Sequence, residues 1–163
     1  MSIGEHIQQT LKLPATVVSM YLEDLSDEDL LRRPSEGSNH IAWQLGHLIS
    51  SENRLNNTVC PDSMPELPEG FDDRHTKETA SLDDPSSFLT KTEYINAMNE
   101  QREGTLALLG RLSDDELSAA SPDSLAIFGP TVAAVIAGQA AHWMMHAGQW
   151  AVVRRQLGKE PLF

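Results

Sequence analysis

Apolar residues recur at intervals of three or four along four long segments of the chain, which is the spacing of an amphipathic helix. The predicted helices cover residues 2–25, 39–59, 84–112 and 131–157. No segment alternates apolar and polar residues between turn signals, as a half-buried strand would. The sequence therefore predicts one all-α domain spanning residues 1–163, with its four long helices packed as a four-helix bundle.

Signals at the helix ends and inside one helix refine these boundaries. Ser2 and Glu5 form a capping box before the first helix, and Gly158 is a natural stop after the last one. Pro85 stands at an early position of the third helix, where its missing N–H does no harm. Pro14 lies inside the first helix, so we expect a kink or a break there.

The segment of residues 61–85 differs in composition from the rest of the chain. It holds four prolines and eight acidic residues against two basic ones, with few apolar residues. This composition predicts a long acidic loop. Such a loop either covers a functional site, as a gate, or is a solvated connection, and the acidic composition favours the solvated connection.

The formal net charge of −12 comes from 24 acidic and 12 basic side chains. Such a surface repels phosphate backbones and anionic lipids, so neither a nucleic acid nor a membrane is expected as a partner. The nearest basic cluster, Arg154, Arg155 and Lys159, lies where cations oppose the dipole at a helix C-terminus. One cysteine, no long apolar run and no signal-like N-terminus together favour the cytoplasm.

A short motif occurs twice in the chain and precedes a histidine each time. LSDEDL at residues 25–30 is followed by IAWQLGH, and LSDDEL at residues 112–117 is followed by IAGQAAH. The two heptapeptides share Ile, Ala, Gln and His, and they end at His47 and His142. We therefore predict two pseudo-symmetric helix–turn–helix halves, with these two histidines facing a common axis.

Three histidines form a candidate metal site. His142 and His146 lie one turn apart on a helix that is apolar almost all round, so both imidazoles share one buried face. Unpartnered imidazoles there would be costly, whereas a metal ion satisfies them. His47 supplies a third nitrogen from the other half. Three imidazoles leave positions for water or substrate, as in catalytic sites, and they suit Zn, Ni, Cu or Fe rather than Mg or Ca.

Five further residues are candidates for supporting this site or lining its pocket: Gln149, Gln44, Gln139, Trp43 and Trp143. Gln149 returns to nearly the same helix face as His142, so its amide could bond a water or an imidazole N–H. Core packing is the favoured role of the two tryptophans, with a pocket wall as the alternative.

The other candidate ligands have simpler expected roles. His40 is predicted near the start of the second helix, His6 in the first turns of the first helix, and His75 in the acidic loop. Glu52 points off the face of the proposed ligand and is predicted to be a surface charge. Cys60 is predicted to be an ordinary thiol.

The segments IAWQLGHL around His47 and HWMMHAGQWAVVRRQLG from His142 resemble the DinB/YfiT-like superfamily, over essentially the whole chain. The resemblance implies an up-down-down-up four-helix bundle, a divalent metal at His47, His142 and His146, and a homodimer. Zn or Ni is the preferred ion, with Fe or Mn as the alternatives. Related families contain transferases and isomerases that use low-molecular-weight thiols, which implies such a thiol as co-substrate.

Three functions follow as hypotheses. The preferred one is a divalent-metal-dependent enzyme with an open three-histidine site and a small-molecule substrate. Its reaction is that of a thiol-dependent transferase or isomerase, with a hydrolase as the other open reaction type. Arg54 is then the best candidate to hold a carboxylate of the thiol, although a surface role is favoured for it. The alternatives are a non-catalytic metal-binding or stress-response module closed by a fourth ligand, and a metal-free structural bundle.

Overall fold

Helices are the regular secondary structure of this protein, which a computed structural model describes over residues 1–163. Five α-helices follow one another along the chain: α1 (Ile3–Glu23), α2 (Ile41–Val59), α3 (Lys91–Arg111), α4 (Asp114–Ser118) and α5 (Val132–Gln156). The chain forms no β-strand, and the all-α prediction is confirmed. None of the helices has both the length and the apolar character that a membrane span requires.

The four long helices enclose the main hydrophobic core. α1 packs against α3 and α5, and α2 packs against the same two helices. Trp143 and Trp150 of α5, Tyr94 of α3 and Leu45 of α2 are fully buried in this core. Burying a large side chain stabilises the fold by about 1.5–3 kcal/mol, so these contacts fix how α2 and α5 face each other. The order of helix directions and the pseudo-two-fold relation of the halves stay predictions.

The two copies of the repeated motif form similar caps but different elements. In the first copy, Ser26 and Asp29 exchange backbone-to-side-chain hydrogen bonds of 2.9 and 3.2 Å, and a short 3₁₀ turn follows. In the second copy, Ser113 and Glu116 form a capping box that begins α4. The likeness of the two motifs therefore reflects the hydrogen-bonding needs of a helix start.

A possible break at Pro14 and the predicted start of the third helix differ from the structure. α1 runs through Pro14 without a break, because the proline is buried and packing of α1 against α5 offsets the lost backbone hydrogen bond. α3 begins at Lys91 rather than near residue 84, because Thr90 and Glu93 form a capping box there. Pro85 instead begins a separate 3₁₀ turn that is capped by Asp84.

The acidic segment of residues 61–85 is anchored to the core, which corrects the expectation of a solvated connection. It contains a 3₁₀ helix, Asp72–His75, and it buries Met64, Phe71 and His75. The side-chain oxygen of Asn57 accepts hydrogen bonds of 3.0 and 3.1 Å from the backbone amides of Ser63 and Met64. A few inward-facing side chains thus hold an otherwise acidic segment against α2.

Candidate metal centre

The structure brings His47 of α2 together with His142 and His146 of α5. One nitrogen from each ring lies within 4.8 Å of the others, and the Nε2 atoms of His47 and His142 are 3.2 Å apart. Two nitrogens that bind one ion at 2.0–2.1 Å in tetrahedral geometry lie about 3.3 Å from each other. The donor set and its spacing therefore fit a transition-metal ion. The 3.2 Å contact equally suits an N–H···N hydrogen bond between the two rings.

Burial favours the neutral form of all three imidazoles. Burial, together with a smaller effect of the neighbouring histidines, lowers the pKa of His142 and His146 to about 4. Burial also lowers the pKa of His47, and the positive charge of Arg54 contributes to that shift. A metal ligand must be unprotonated, so the rings are already in the form that binds a cation.

Gln44 determines which nitrogen of His146 is free. The Gln44 oxygen accepts a 2.8 Å hydrogen bond from the indole N–H of Trp150, which can only donate. The same oxygen lies 3.0 Å from Nδ1 of His146, so Nδ1 carries the proton and Nε2 carries the lone pair. The Gln44 amide nitrogen donates to the backbone oxygen of Asn39 at 2.6 Å and to the side-chain oxygen of Gln149 at 3.0 Å.

The two tryptophans predicted near the site have different surroundings. The ring of Trp43 stacks on His47, with centroids 5.3 Å apart and planes 6° from parallel. The indole N–H of Trp43 donates to the backbone oxygen of Thr76 at 2.8 Å, which connects the acidic segment to this wall of the site. Trp143 is turned into the core, and its indole N–H donates to Glu52 at 2.9 Å.

Glu52 is only 1% exposed, so its prediction as a surface charge is wrong. One carboxylate oxygen accepts a 2.7 Å hydrogen bond from the hydroxyl of Thr105. The other accepts from Trp143 and, at 2.9 Å, from the guanidinium of Arg102. These partners lie on α3 and α5, so the residues next to Glu52 in the sequence could not predict them. Because both oxygens are engaged, Glu52 does not extend the histidine cluster.

The other candidate ligands lie apart from the cluster. His40 caps α2 through Nδ1, which accepts from the backbone N–H of Trp43 at 3.1 Å, and its Nε2 lies 3.1 Å from the oxygen of Leu82. His6 is exposed on α1. Cys60 is half-buried at the end of α2 and forms no disulfide. No fourth protein ligand joins the three histidines.

His75 is buried beside α2 but bonds to other groups. Its Nδ1 lies 2.7 Å from the backbone oxygen of Phe71, and its Nε2 lies 2.7 Å from the hydroxyl of Tyr94. Burial lowers the pKa of His75 to about 4 and raises the pKa of Tyr94. Gly46 leaves room for this ring, because a Cβ at position 46 would lie 2.1 Å from a carbon of the imidazole. Sequence reasoning missed this requirement of the GHL segment.

The two remaining glutamines do not contact an imidazole. Gln149 reaches the site only through its hydrogen bond to Gln44. Gln139 is 1% exposed, and both its amide nitrogen and its amide oxygen lack a hydrogen-bond partner within the protein. Of the three glutamines in the predicted set, Gln44 alone is bonded to a histidine of the cluster.

Comparison with known proteins gives a family and a fold. No curated protein matches the chain. A crystal structure of a conserved protein from Enterococcus faecalis superposes with a TM-score of 0.72 at 14% sequence identity, over 98% of this chain and 99% of that one. At such low identity this similarity establishes the fold alone. The sequence profile of the DinB superfamily matches residues 12–150, which include all three histidines. This chain is a member of the DinB superfamily.

Proposed function

We propose that this protein is a divalent-metal-dependent enzyme that acts on a small molecule, with the ion held by His47, His142 and His146. The observation that carries the proposal is a cluster of three neutral imidazoles with nitrogens within 4.8 Å and no fourth protein ligand. Structural zinc sites have four protein ligands, whereas catalytic sites keep a position for water or substrate. The missing fourth ligand therefore favours an enzyme over a closed binding module.

Zn or Ni fits this donor set best, because imidazole nitrogens suit borderline transition metals. When bound, such an ion supplies Lewis-acid chemistry by lowering the pKa of a coordinated water or thiol. The protein's own contribution is to hold the three rings neutral and oriented. Gln44 orients His146 through Nδ1, and Trp43 stacks on His47 and restricts the rotation of its ring.

Thiol transfer is the reaction class that we favour, on the resemblance between this chain and families of thiol-dependent transferases and isomerases. A thiol is a soft ligand that an imidazole-bound transition metal accepts readily.

A metal-free core is the second candidate, and one observation favours it. If Nε2 of either His47 or His142 carries the proton, the 3.2 Å contact between them is a hydrogen bond that satisfies both Nε2 atoms. Against this candidate, Nε2 of His146 makes no hydrogen bond within the protein, and the ring lies in the cluster with the other two histidines.

Metal content decides between these two candidates. Protein purified without a polyhistidine tag is expected to contain one Zn or Ni ion per chain by elemental analysis. His142→Ala and His146→Ala are expected to lose that ion, while His6→Ala, which alters an exposed histidine outside the cluster, retains it. Absence of metal in wild type, together with a melting temperature that added Zn or Ni leaves unchanged, would eliminate the metal centre.

A second experiment separates an enzyme from a non-catalytic metal-binding module. Small thiols are incubated with an electrophilic acceptor, and the rate of thiol transfer is compared between wild type and His47→Ala. We expect the rate to fall to background in the variant. Equal rates for the two proteins would remove the catalytic hypothesis for those substrates.

A further inference from the structure

We propose that the polar cleft beside His47 binds the substrate through a carboxylate or phosphate group, with Arg54 as the anchoring cation. This inference rests on the proposed function and assigns a substrate class to the same site. The cleft has a volume of about 570 Å³, and its nine lining residues are all polar: His47, Ser50, Ser51, Asn53, Arg54, Asn57, Thr58, Asp72 and His75. A larger cleft of about 720 Å³, near the start of α2, contains none of the clustered histidines.

One face of α2 forms the floor of this cleft. His47, Ser51, Arg54 and Thr58 follow one another at intervals of three or four residues, so they form a single row along the helix. Arg54 lies two turns from His47, a rise of about 10 Å along the axis. A small molecule lying in the cleft can therefore contact the histidine cluster and the guanidinium at the same time.

Most polar groups of the cleft are already engaged within the protein. Ser50 donates to Asp72 at 2.5 Å, Thr58 donates to a backbone oxygen of α2 at 2.7 Å, and Asn57 holds two backbone amides of the acidic segment. Ser51 and Arg54 are the exceptions, because neither side chain makes a hydrogen bond within the protein. The Ser51 hydroxyl lines the cleft, so it is available to bond a ligand there.

Arg54 is the free charge of the cleft. Its guanidinium forms neither an ion pair nor a hydrogen bond, whereas Arg33, Arg102 and Arg154 each pair with a carboxylate. A guanidinium presents a planar fork that matches a carboxylate or a phosphate, and few other groups of a small molecule satisfy it as well.

The acidic surface increases the selectivity of such a site. With a net charge of −12, the protein as a whole repels anions, so an anion binds where an unpaired cation is available. Asp72 is the one acid that lines the cleft, and it already accepts the hydrogen bond from Ser50. The free polar groups of the cleft thus favour an anion at Arg54 over a cation at Asp72.

The test measures binding of two probes, succinate and inorganic phosphate, to the untagged full-length protein by NMR titration in a buffer without other polyvalent anions. Wild type is expected to show saturable amide shifts at Ser51 and Arg54 in the millimolar range. Arg54→Gln should weaken the binding by roughly tenfold or more, because a charge-assisted hydrogen bond is lost, and Arg54→Lys should have an intermediate effect. Arg111→Gln is the matched control, because Arg111 is exposed, makes no ion pair and lies outside the cleft.

The relative affinities of the two probes assign the anion as a carboxylate or a phosphate. No saturable shift in wild type with either probe, or equal affinities of wild type and Arg54→Gln, would overturn the inference. The same titration of His142→Ala distinguishes this failure from a failure of the metal centre. If that variant contains no metal but still binds the probe in an Arg54-dependent way, the anion site stands independently of the ion.

Discussion

Replacing Gln44 with leucine tests whether one buried amide controls the histidine cluster. The Gln44 side chain is 1% exposed and makes four hydrogen bonds, with its oxygen bonded to Trp150 and His146 and its nitrogen to Asn39 and Gln149. Leucine has a similar size, but its side chain neither accepts nor donates hydrogen bonds. The Gln44→Leu change therefore leaves the indole N–H and the imidazole Nδ1–H without a partner in the core.

The magnitude follows from those two orphaned donors. Each buried group left without a hydrogen bond costs about 1–3 kcal/mol, and burying leucine returns about 1.5–3 kcal/mol, so we expect the free energy of unfolding to fall by about 1–3 kcal/mol. The effect on metal affinity is separate from the effect on stability. Loss of the partner that orients a ligating histidine typically weakens metal binding by about 10–100-fold.

The matched control is Gln101→Leu. Gln101 is also 1% exposed, and its amide bonds Asn53 and the backbone oxygen of Pro65, away from the cluster. Both variants are unfolded with urea, and their zinc affinities are measured by competition with a chelating dye. Both should be destabilised, but only Gln44→Leu should bind zinc more weakly. Equal loss of zinc affinity in the two variants, or none in Gln44→Leu, would refute the orienting role of Gln44.

Four further outcomes are expected. Glu52→Ala should lower the free energy of unfolding by about 3–5 kcal/mol in urea titrations, because Arg102, whose side chain is only 13% exposed, loses its ion-pair partner. A loss below about 1 kcal/mol would contradict this. Gly46→Ala should lower the free energy of unfolding by about 1–3 kcal/mol, because the added methyl overlaps the His75 ring. This decrease should be smaller when His75→Ala is also present. An unchanged decrease would exclude the contact with His75 as its cause. Burial lowers the pKa of His75 from 6.5 to about 4, so the unfolded chain binds the extra proton and stability falls as the pH drops from 6.5 towards 4, by about 1.4 kcal/mol per unit. The free energy of unfolding should therefore fall less between pH 7 and pH 5 in His75→Gln than in wild type. Equal decreases in the two proteins would show that His75 does not cause the pH dependence. Gln139→Met should leave the melting temperature unchanged or raise it, since the buried amide has no protein partner; a clear decrease would mean that the amide is hydrogen-bonded in solution.

Features that depend on neighbouring residues could be predicted from the sequence. The four long helices follow from apolar spacing, because helical hydrogen bonds join residues only four apart. The pairing of His142 with His146 on one face follows for the same reason. The capping box of Ser2 with Glu5 was also predictable. The start of α3 was missed because Pro85 resembled a first-turn proline, whereas the stronger cap lies at Thr90.

Features that depend on distant residues required the tertiary structure. The repeated heptapeptides predicted that His47 and His142 would face a common axis, but the 3.2 Å approach of their nitrogens depends on how α2 packs against α5. Glu52 looked like a surface charge because its partner Arg102 lies 50 residues away on α3. Helical periodicity states which side of a helix is apolar. It does not state which polar side chains find partners across the core, because those partners come from helices whose packing is set by the whole fold.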